Sequence, residues 1–195
     1  MIELVYPVGR AKNLTPRAFQ PEVGDSETRE MLPLIEPTGQ VLGYATRSYC
    51  HSAARPLHPV VHLNIVNRYG EIYLQKRAMT KKLLPGYWDT AVGGHIGYGE
   101  SVQEALFREA GEELGFVDFN PIYLENSIWE SDYERELICY FAAVGNFDLH
   151  PSNDEVEEGR YWSFQQIEEN LGKSVFTPNF ESEFKRMRHV LEALL

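Results

Sequence analysis

At 195 residues the chain is long enough for one domain plus an additional segment, taking about 150 residues per domain. Its 43 % hydrophobic and 24 % charged residues form an ordinary globular balance, which excludes a fibrous or wholly disordered chain. The 18 basic against 29 acidic side chains leave a formal charge of −11, which argues against a broad grip on nucleic acid or anionic lipid and favours small ligands.

The longest strictly apolar run, Leu137 to Val144, falls far short of the roughly 20 residues of a spanning helix, and the first twelve residues lack a signal-peptide layout. A cytoplasmic protein without a membrane or nucleic-acid partner is expected. Cys50 and Cys139 are too few and too far apart for a disulfide scaffold or a C-x-x-C pair, so both are expected to be reduced.

Residues 1–30 carry Pro7, Pro16, Pro21 and Gly24 without a sustained period, which predicts an extended arm. Two hairpins follow: 31–36 and 40–46 around Pro37-Thr38-Gly39, then 60–67 and 71–76 around Arg68-Tyr69-Gly70. Residues 88–92 read as another short strand. Ser101, three before Glu104, is a capping-box signature that opens a helix running to Leu114, with Gly115 as its stop. Strands are predicted at 122–129, 135–144 and 159–162, the last two joined by the polar stretch 146–158. Ser163 with Gln166 opens a second helix. Thr177-Pro178 opens a third, whose Phe180, Phe184, Met187, Leu191 and Leu194 fall at helical spacing and supply a buried stripe. Helices interrupting hairpins imply a mixed α/β layered fold.

The first helix carries the chemistry. On a helical wheel Leu106, Phe107, Ala110 and Leu114 share one side, while Glu109, Glu112 and Glu113 share another. Like charges at i+3 and i+4 repel by a few tenths of a kcal/mol per pair, about 0.2–0.5. A divalent cation is the natural compensation, because hard ions such as Mg²⁺ take oxygen ligands and bridge to substrate phosphates. A solvated acidic face is the plainer reading of any Glu-rich helix. Asp154, Glu155, Glu157 and Glu158 are read in that plainer way, as a solvated acidic loop.

Spacing decides against that reading for the helix. Gly94, five residues, Glu100, seven residues, then Arg108-Glu109-Ala110-Gly111-Glu112-Glu113-Leu114-Gly115-Phe116 resembles the 23-residue signature of the Nudix hydrolase family, with seven fixed positions matched. Ala110 departs from it, since the signature prefers a bulky aliphatic there. The resemblance implies an α/β (α+β) Nudix fold, a mixed β-sheet sandwiched between helices with an N-terminal β-hairpin extension. Residues 1–30 would be the arm and 31–195 a single Nudix domain. It also implies hydrolysis of a small organic diphosphate with Mg²⁺ or Mn²⁺. Glu109, Glu112 and Glu113 would hold the metal, Arg108 would brace the carboxylates, Glu100 would tie loop to helix or join the metal shell, and Gly94 would serve the loop backbone.

A narrower resemblance lies upstream. His51, Leu57 and His58, the run from Arg77 through Lys81 to Trp88, Gly94-His95 and Glu134-Arg135-Glu136 are similar to the isopentenyl-diphosphate isomerase branch of the same superfamily. That branch implies a metal site on His51, His58, His95, Glu134 and Glu136, and diphosphate-binding cations at Arg77 and Lys81. Imidazole with carboxylate suits Mn²⁺, Zn²⁺ or Mg²⁺. The isomerase depends on a cysteine immediately before the Gly-His pair, and Gly93 stands there instead. Glu109 and Glu112, which the isomerase pattern lacks, are present. Hydrolysis is therefore the leading reading. The alternatives are an isopentenyl-diphosphate isomerase-like enzyme and a non-catalytic Nudix-fold ligand sensor.

Overall fold

A computed structural model describes residues 1–19, 30–81, 83–151 and 156–195. Pro21 and Gly24 of the arm, Lys82, Asp154 and Glu155 lie outside the described residues. The elements in chain order are β1 (Met31–Ile35), β2 (Val41–Thr46), α1 (Arg47–Cys50), β3 (His58–Val66), β4 (Glu71–Arg77), β5 (Trp88–Asp89), β6 (Val92–His95) and α2 (Val102–Leu114). They continue with β7 (Ile122–Glu130), β8 (Arg135–Val144), β9 (Val156–Ser163), α3 (Phe164–Asn170) and α4 (Pro178–Glu192). β1 and β2 form a two-stranded sheet. The larger, seven-stranded sheet has the order β5-β4-β3-β8-β7, with β6 on β3 and β9 on β4. The mixed α/β architecture expected from the sequence is the one found. No helix among the described residues is long and apolar enough to cross a membrane.

The chain divides into two compact units. The first comprises Met1–Val61, Gly94–Leu106 and Glu125–Cys139. Its β1–β2 hairpin buries Leu32, Leu34 and Ala45 with Cys50, and Ile35, Val41, Leu57 and Leu137 form a second cluster. The arm is not featureless: Ile2, Leu4 and Tyr6 pack on that second cluster, and Val5 bridges Gln40. The Ser101–Glu104 capping box is closed, Ser101 N–H donating to Glu104 at 2.8 Å and Glu104 N–H to Ser101 Oγ at 3.2 Å.

The second unit comprises His62–Gly93, Phe107–Leu124 and Tyr140–Leu195. The β3–β4 turn is closed by Asn67 Oδ1, which accepts from the N–H groups of Tyr69 and Glu71, while Gly70 supplies the left-handed φ of 77° that the turn requires. β4 pairs antiparallel with β9 from Glu71↔Ser163 to Arg77↔Val156. The strand thus begins at Val156, three residues earlier than 159, because ladder bonds to β4 hold a polar segment without apolar alternation. Glu157 and Glu158 consequently belong to β9 rather than to a loop. The 88–92 segment resolves into two strands, β5 and β6, interrupted at Thr90-Ala91. Trp88, Trp162, Phe176, Phe180 and Phe184 form a chain of ring contacts with successive centroids 5.1 to 6.0 Å apart. Phe180, Phe184, Met187 and Leu191 of α4 are buried, and Leu194 lies past the helix end. Each fully buried Phe contributes on the order of 1.5–3 kcal/mol by transfer from water.

Candidate active site and metal centre

Three histidines and a glutamate meet in the first unit. His51 follows α1, His58 opens β3, His95 closes β6 and Glu136 lies near the start of β8. One ligating atom from each lies within 4.8 Å of the others. Nε2 of His51 and Nε2 of His95 are 2.9 Å apart, and Oε1 of Glu136 is 3.6 Å from His58 Nε2 and 3.9 Å from His95 Nε2. His58 Nδ1 lies 2.9 Å from the Pro56 carbonyl, which can only accept, so the proton sits on Nδ1 and the Nε2 lone pair faces the cluster. That Nε2 is buried without a hydrogen-bond partner. Burial, reinforced by neighbouring His58, lowers the pKa of His51 to about 4, so its ring is neutral and able to ligate near neutral pH. Three imidazoles, one of them held neutral, a carboxylate and one orphaned buried nitrogen fit a divalent ion of borderline character.

Glu134, fifth in the expected set, stands outside this four-residue cluster. Its Oε2 is 3.9 Å from His51 Nδ1, and its Oε1 accepts from Trp129 Nε1 at 3.2 Å. It thus borders the cluster from the turn preceding β8. Elsewhere in the first unit Glu100 fastens the loop before α2, accepting from Gly97 N–H at 2.9 Å, and Gly94 lies within β6. Gly99, at φ 90°, donates its N–H to the Tyr6 hydroxyl, which fastens the arm to the same loop.

The acidic group of α2 lies in the second unit. Arg108 Nη1 donates to Glu109 Oε1 at 2.8 Å and to Glu112 Oε2 at 3.2 Å. Glu109 is well covered, with its side chain 12 % exposed, whereas Glu112 is 60 % exposed. Glu113 Oε2 accepts from Gln75 Nε2 at 2.7 Å, and the same amide donates to the Ala91 carbonyl. Gln75 had not been expected in the site. Its signal in the sequence is an uncharged polar residue continuing the apolar strand Ile72-Tyr73-Leu74, where it is 4 % exposed.

Arg77 and Lys81 lie on and just after β4. Arg77 spans two structural contacts, donating to the Leu83 carbonyl at 3.1 Å and pairing with Asp89 Oδ2 at 3.4 Å. Asp89 Oδ1 also accepts from Thr177 Oγ1 at 2.9 Å, the residue that caps α4. Lys81 is half-buried in the turn after β4. Cys50 and Cys139 are free and buried, and burial pushes both thiols up to about 12.

The NUDIX domain family profile matches residues 56–180, so the chain belongs to the Nudix family, whose class is that of the diphosphate-hydrolysing enzymes. Among curated relatives it is 31 % identical over 142 residues to the isopentenyl-diphosphate Delta-isomerase of Kocuria rhizophila, covering 70 % of this chain and 79 % of that protein. Among solved structures, a MutT protein from Methanosarcina mazei is 26 % identical with a TM-score of 0.58, over 69 % of this chain and 94 % of that one. A protein of Deinococcus radiodurans shares the fold with a TM-score of 0.69 at 20 % identity, over 80 % of this chain and 98 % of that one.

Proposed function

We propose that this enzyme hydrolyses a small organic diphosphate, a nucleoside diphosphate-X or an isoprenoid-type diphosphate, in a reaction dependent on Mg²⁺ or Mn²⁺. The observation that carries the reading is the oriented carboxylate group on α2: Glu109 and Glu112 share the Arg108 guanidinium, and Glu113 is tied to Gln75. Glu109 and Glu113 are at least half-buried and Glu112, though exposed, is held by Arg108, an arrangement that suits a cation. Glu109, Glu112 and Glu113 would hold a divalent ion, which would supply charge neutralisation for the diphosphate oxygens. Glu100 contributes by fixing the loop before α2. Arg108 keeps the carboxylates of Glu109 and Glu112 from turning away, and Gln75 fixes one oxygen of Glu113 so that the other has a defined direction. Water attacks phosphorus, a P–O bond to the leaving phosphate breaks, and a carboxylate of the group takes the proton from water. Arg77 and Lys81 are assigned to the diphosphate, with Gly94 giving close backbone approach.

The His51, His58, His95 and Glu136 cluster, with Glu134 beside it, supports a second metal centre of imidazole and carboxylate ligands. Together with the isomerase relative, it also favours a second reading, isopentenyl-diphosphate isomerisation. Gly93 weighs against that reading, because it supplies no proton donor. The experiment is a panel of nucleoside diphosphate-X compounds, isoprenoid diphosphates and inositol-type diphosphates, with phosphate and diphosphate release followed in Mg²⁺ and in Mn²⁺. Turnover of at least one member without isomerised product is expected. Absence of turnover across the panel favours a ligand sensor and overturns the hydrolase reading.

A further inference from the structure

In the first unit the arm runs alongside β2 and is fastened to it by backbone hydrogen bonds. Val5 N–H donates to the Gly39 carbonyl at 3.0 Å and accepts from Val41 N–H at 2.8 Å through its own carbonyl. Further along, Tyr44 N–H donates to the Lys12 carbonyl at 3.0 Å, Leu14 N–H to the Tyr44 carbonyl at 2.7 Å and Thr46 N–H to Thr15 Oγ1 at 2.9 Å. The hairpin is shaped to receive the arm. A Cβ at Gly39 would lie 2.5 Å from the Glu3 carbonyl oxygen, and one at Gly43 would lie 2.6 Å from that of Lys12 and 2.8 Å from Leu14 Cδ1. Gly43 lies outside the left-handed region, so its backbone does not ask for glycine; the close approach of the arm does.

The same arm reaches the loop before α2. Each backbone N–H from Ile96 to Glu100 has an acceptor, as an ordered loop requires. Ile96 donates to the Pro59 carbonyl at 3.2 Å, Gly97 to the Glu100 carboxylate at 2.9 Å, Tyr98 to the Met31 carbonyl at 2.8 Å and Glu100 to the Gly97 carbonyl at 3.0 Å. The remaining N–H, that of Gly99, goes to the Tyr6 hydroxyl at 2.9 Å. The Tyr98 ring meets both Tyr6 and Tyr44, with centroids 5.5 and 4.5 Å away. Burial, reinforced by the Glu100 carboxylate, raises the Tyr6 phenol above its ordinary value, so the oxygen facing Gly99 belongs to a neutral hydroxyl. Because the Glu100 carboxylate folds back onto Gly97 of its own turn, its position depends on the shape of that turn. Gly99 is exposed, so without Tyr6 water would take its N–H and the turn would lose a fixed point.

Resting on the reading that Glu100 and the acids of α2 serve a divalent cation, we propose that Tyr6 is a positioning residue for Glu100. Its hydroxyl, presented by an arm seated across Gly39 and Gly43, holds the Gly97–Glu100 turn in the shape that aims the Glu100 carboxylate for Mg²⁺. Tyr6 touches neither cation nor substrate and acts only through Gly99 and the turn. The N-terminal arm thereby contributes to the site a contact that lies more than ninety positions away in the chain.

The test titrates Mg²⁺ alone into the full chain and follows the amide ¹H–¹⁵N signals of Gly97, Gly99 and Glu100. Tyr6→Phe removes one oxygen and keeps the ring against Tyr98, so its thermal midpoint is expected to stay close to the parent's. Hydrogen exchange at the Gly99 amide is expected to quicken about three- to tenfold in this variant, the loss of one neutral hydrogen bond. The Mg²⁺ concentration that half-shifts the Glu100 signal is expected to rise by a similar factor, about three- to tenfold. Gly43→Ala pushes the arm away at Lys12 and Leu14 but leaves the Tyr6 hydroxyl in place. It is expected to lower the thermal midpoint more than Tyr6→Phe and to alter the Mg²⁺ titration less, the reverse of what a merely structural strap would show. Unchanged Gly99 exchange or an unchanged Mg²⁺ response in Tyr6→Phe overturns the proposal, as does a larger effect of Gly43→Ala on that response. A parent whose Glu100 signal ignores Mg²⁺ also overturns it, while leaving the hydrolase reading standing on Glu109, Glu112 and Glu113. Conversely, a Tyr6-dependent Mg²⁺ response in a protein that hydrolyses no member of the diphosphate panel would uphold the proposal and sink that reading.

Discussion

His58 Nε2 and Glu136 Oε1 lie 3.6 Å apart, one side chain fully buried and the other 8 % exposed. Because His58 Nδ1 is engaged with the Pro56 carbonyl, the facing atoms are a lone pair and a carboxylate oxygen, two acceptors brought together away from water. Such an arrangement is unfavourable unless positive charge lies between them. A metal ion answers this better than a proton, since His51 and His95 bring two further ring nitrogens to the same point.

Metal content tests this. The double change His51→Ala with Glu136→Ala removes two of four converging ligands, and elemental analysis of the purified protein is expected to fall by one ion per chain. Equal metal content in variant and parent would return these residues to a purely structural role.

On α2 the expected losses are graded. Glu112→Gln and Glu113→Gln keep size but remove a cation-binding charge, so kcat is expected to fall at least about 10²-fold with the circular dichroism spectrum unchanged. Gln75→Met keeps volume in β4 but releases Glu113, and a fall of about 10–100-fold is expected for loss of an orienting partner. If Gln75→Met matched the parent at saturating metal, the tie to Glu113 would be incidental to the reaction.

What the sequence made legible was local. The Ser101–Glu104 and Ser163–Gln166 boxes both close as read, because a cap needs only residues three apart. The four-residue α1 was missed, since so short a helix carries no periodicity; the Thr46 hydroxyl that accepts from Tyr49 N–H at 3.4 Å is its only local signal. Gln75 was missed because its partner is 38 positions away, and the Glu183 contact to His62 spans 121. Family resemblance singled out His51, His58 and His95, which the fold brings together, but only the fold distinguishes Glu136, inside the cluster, from Glu134 at its border.

His51 gives a dependence on pH with a definite sign. Its folded pKa, about 4, lies below the ordinary 6.5, so between those values the unfolded chain binds the extra proton and stability rises with pH. The contribution is complete above about 6.5 and is lost as pH falls through about 4. In chelator-treated protein, denaturant midpoints are expected to fall across this window less steeply for His51→Gln than for the parent. Parallel curves would show that the ring is not held neutral by its surroundings.

The last expectation concerns proton chemistry at position 93. Isomerisation delivers a proton to one face of an alkene and removes another across it, so an acid and a base must both reach an apolar pocket. Gly93 offers neither, and the two cysteines present are buried with thiols near 12, too weakly acidic to substitute. With isopentenyl diphosphate in deuterated water, no deuterium is expected in the isoprenoid carbons, and any turnover is expected to release isopentenyl monophosphate or inorganic phosphate. Gly93→Cys is not expected to create isomerase activity by itself. Its Cβ would lie 3.4 Å from His62 Nε2, beside a ring whose Nδ1 contacts Glu183. Dimethylallyl diphosphate formed at a catalytic rate by the parent would overturn the hydrolase assignment, whereas its formation only in Gly93→Cys would show that the remainder of an isomerase pocket is present and that residue 93 alone decides between the two reactions.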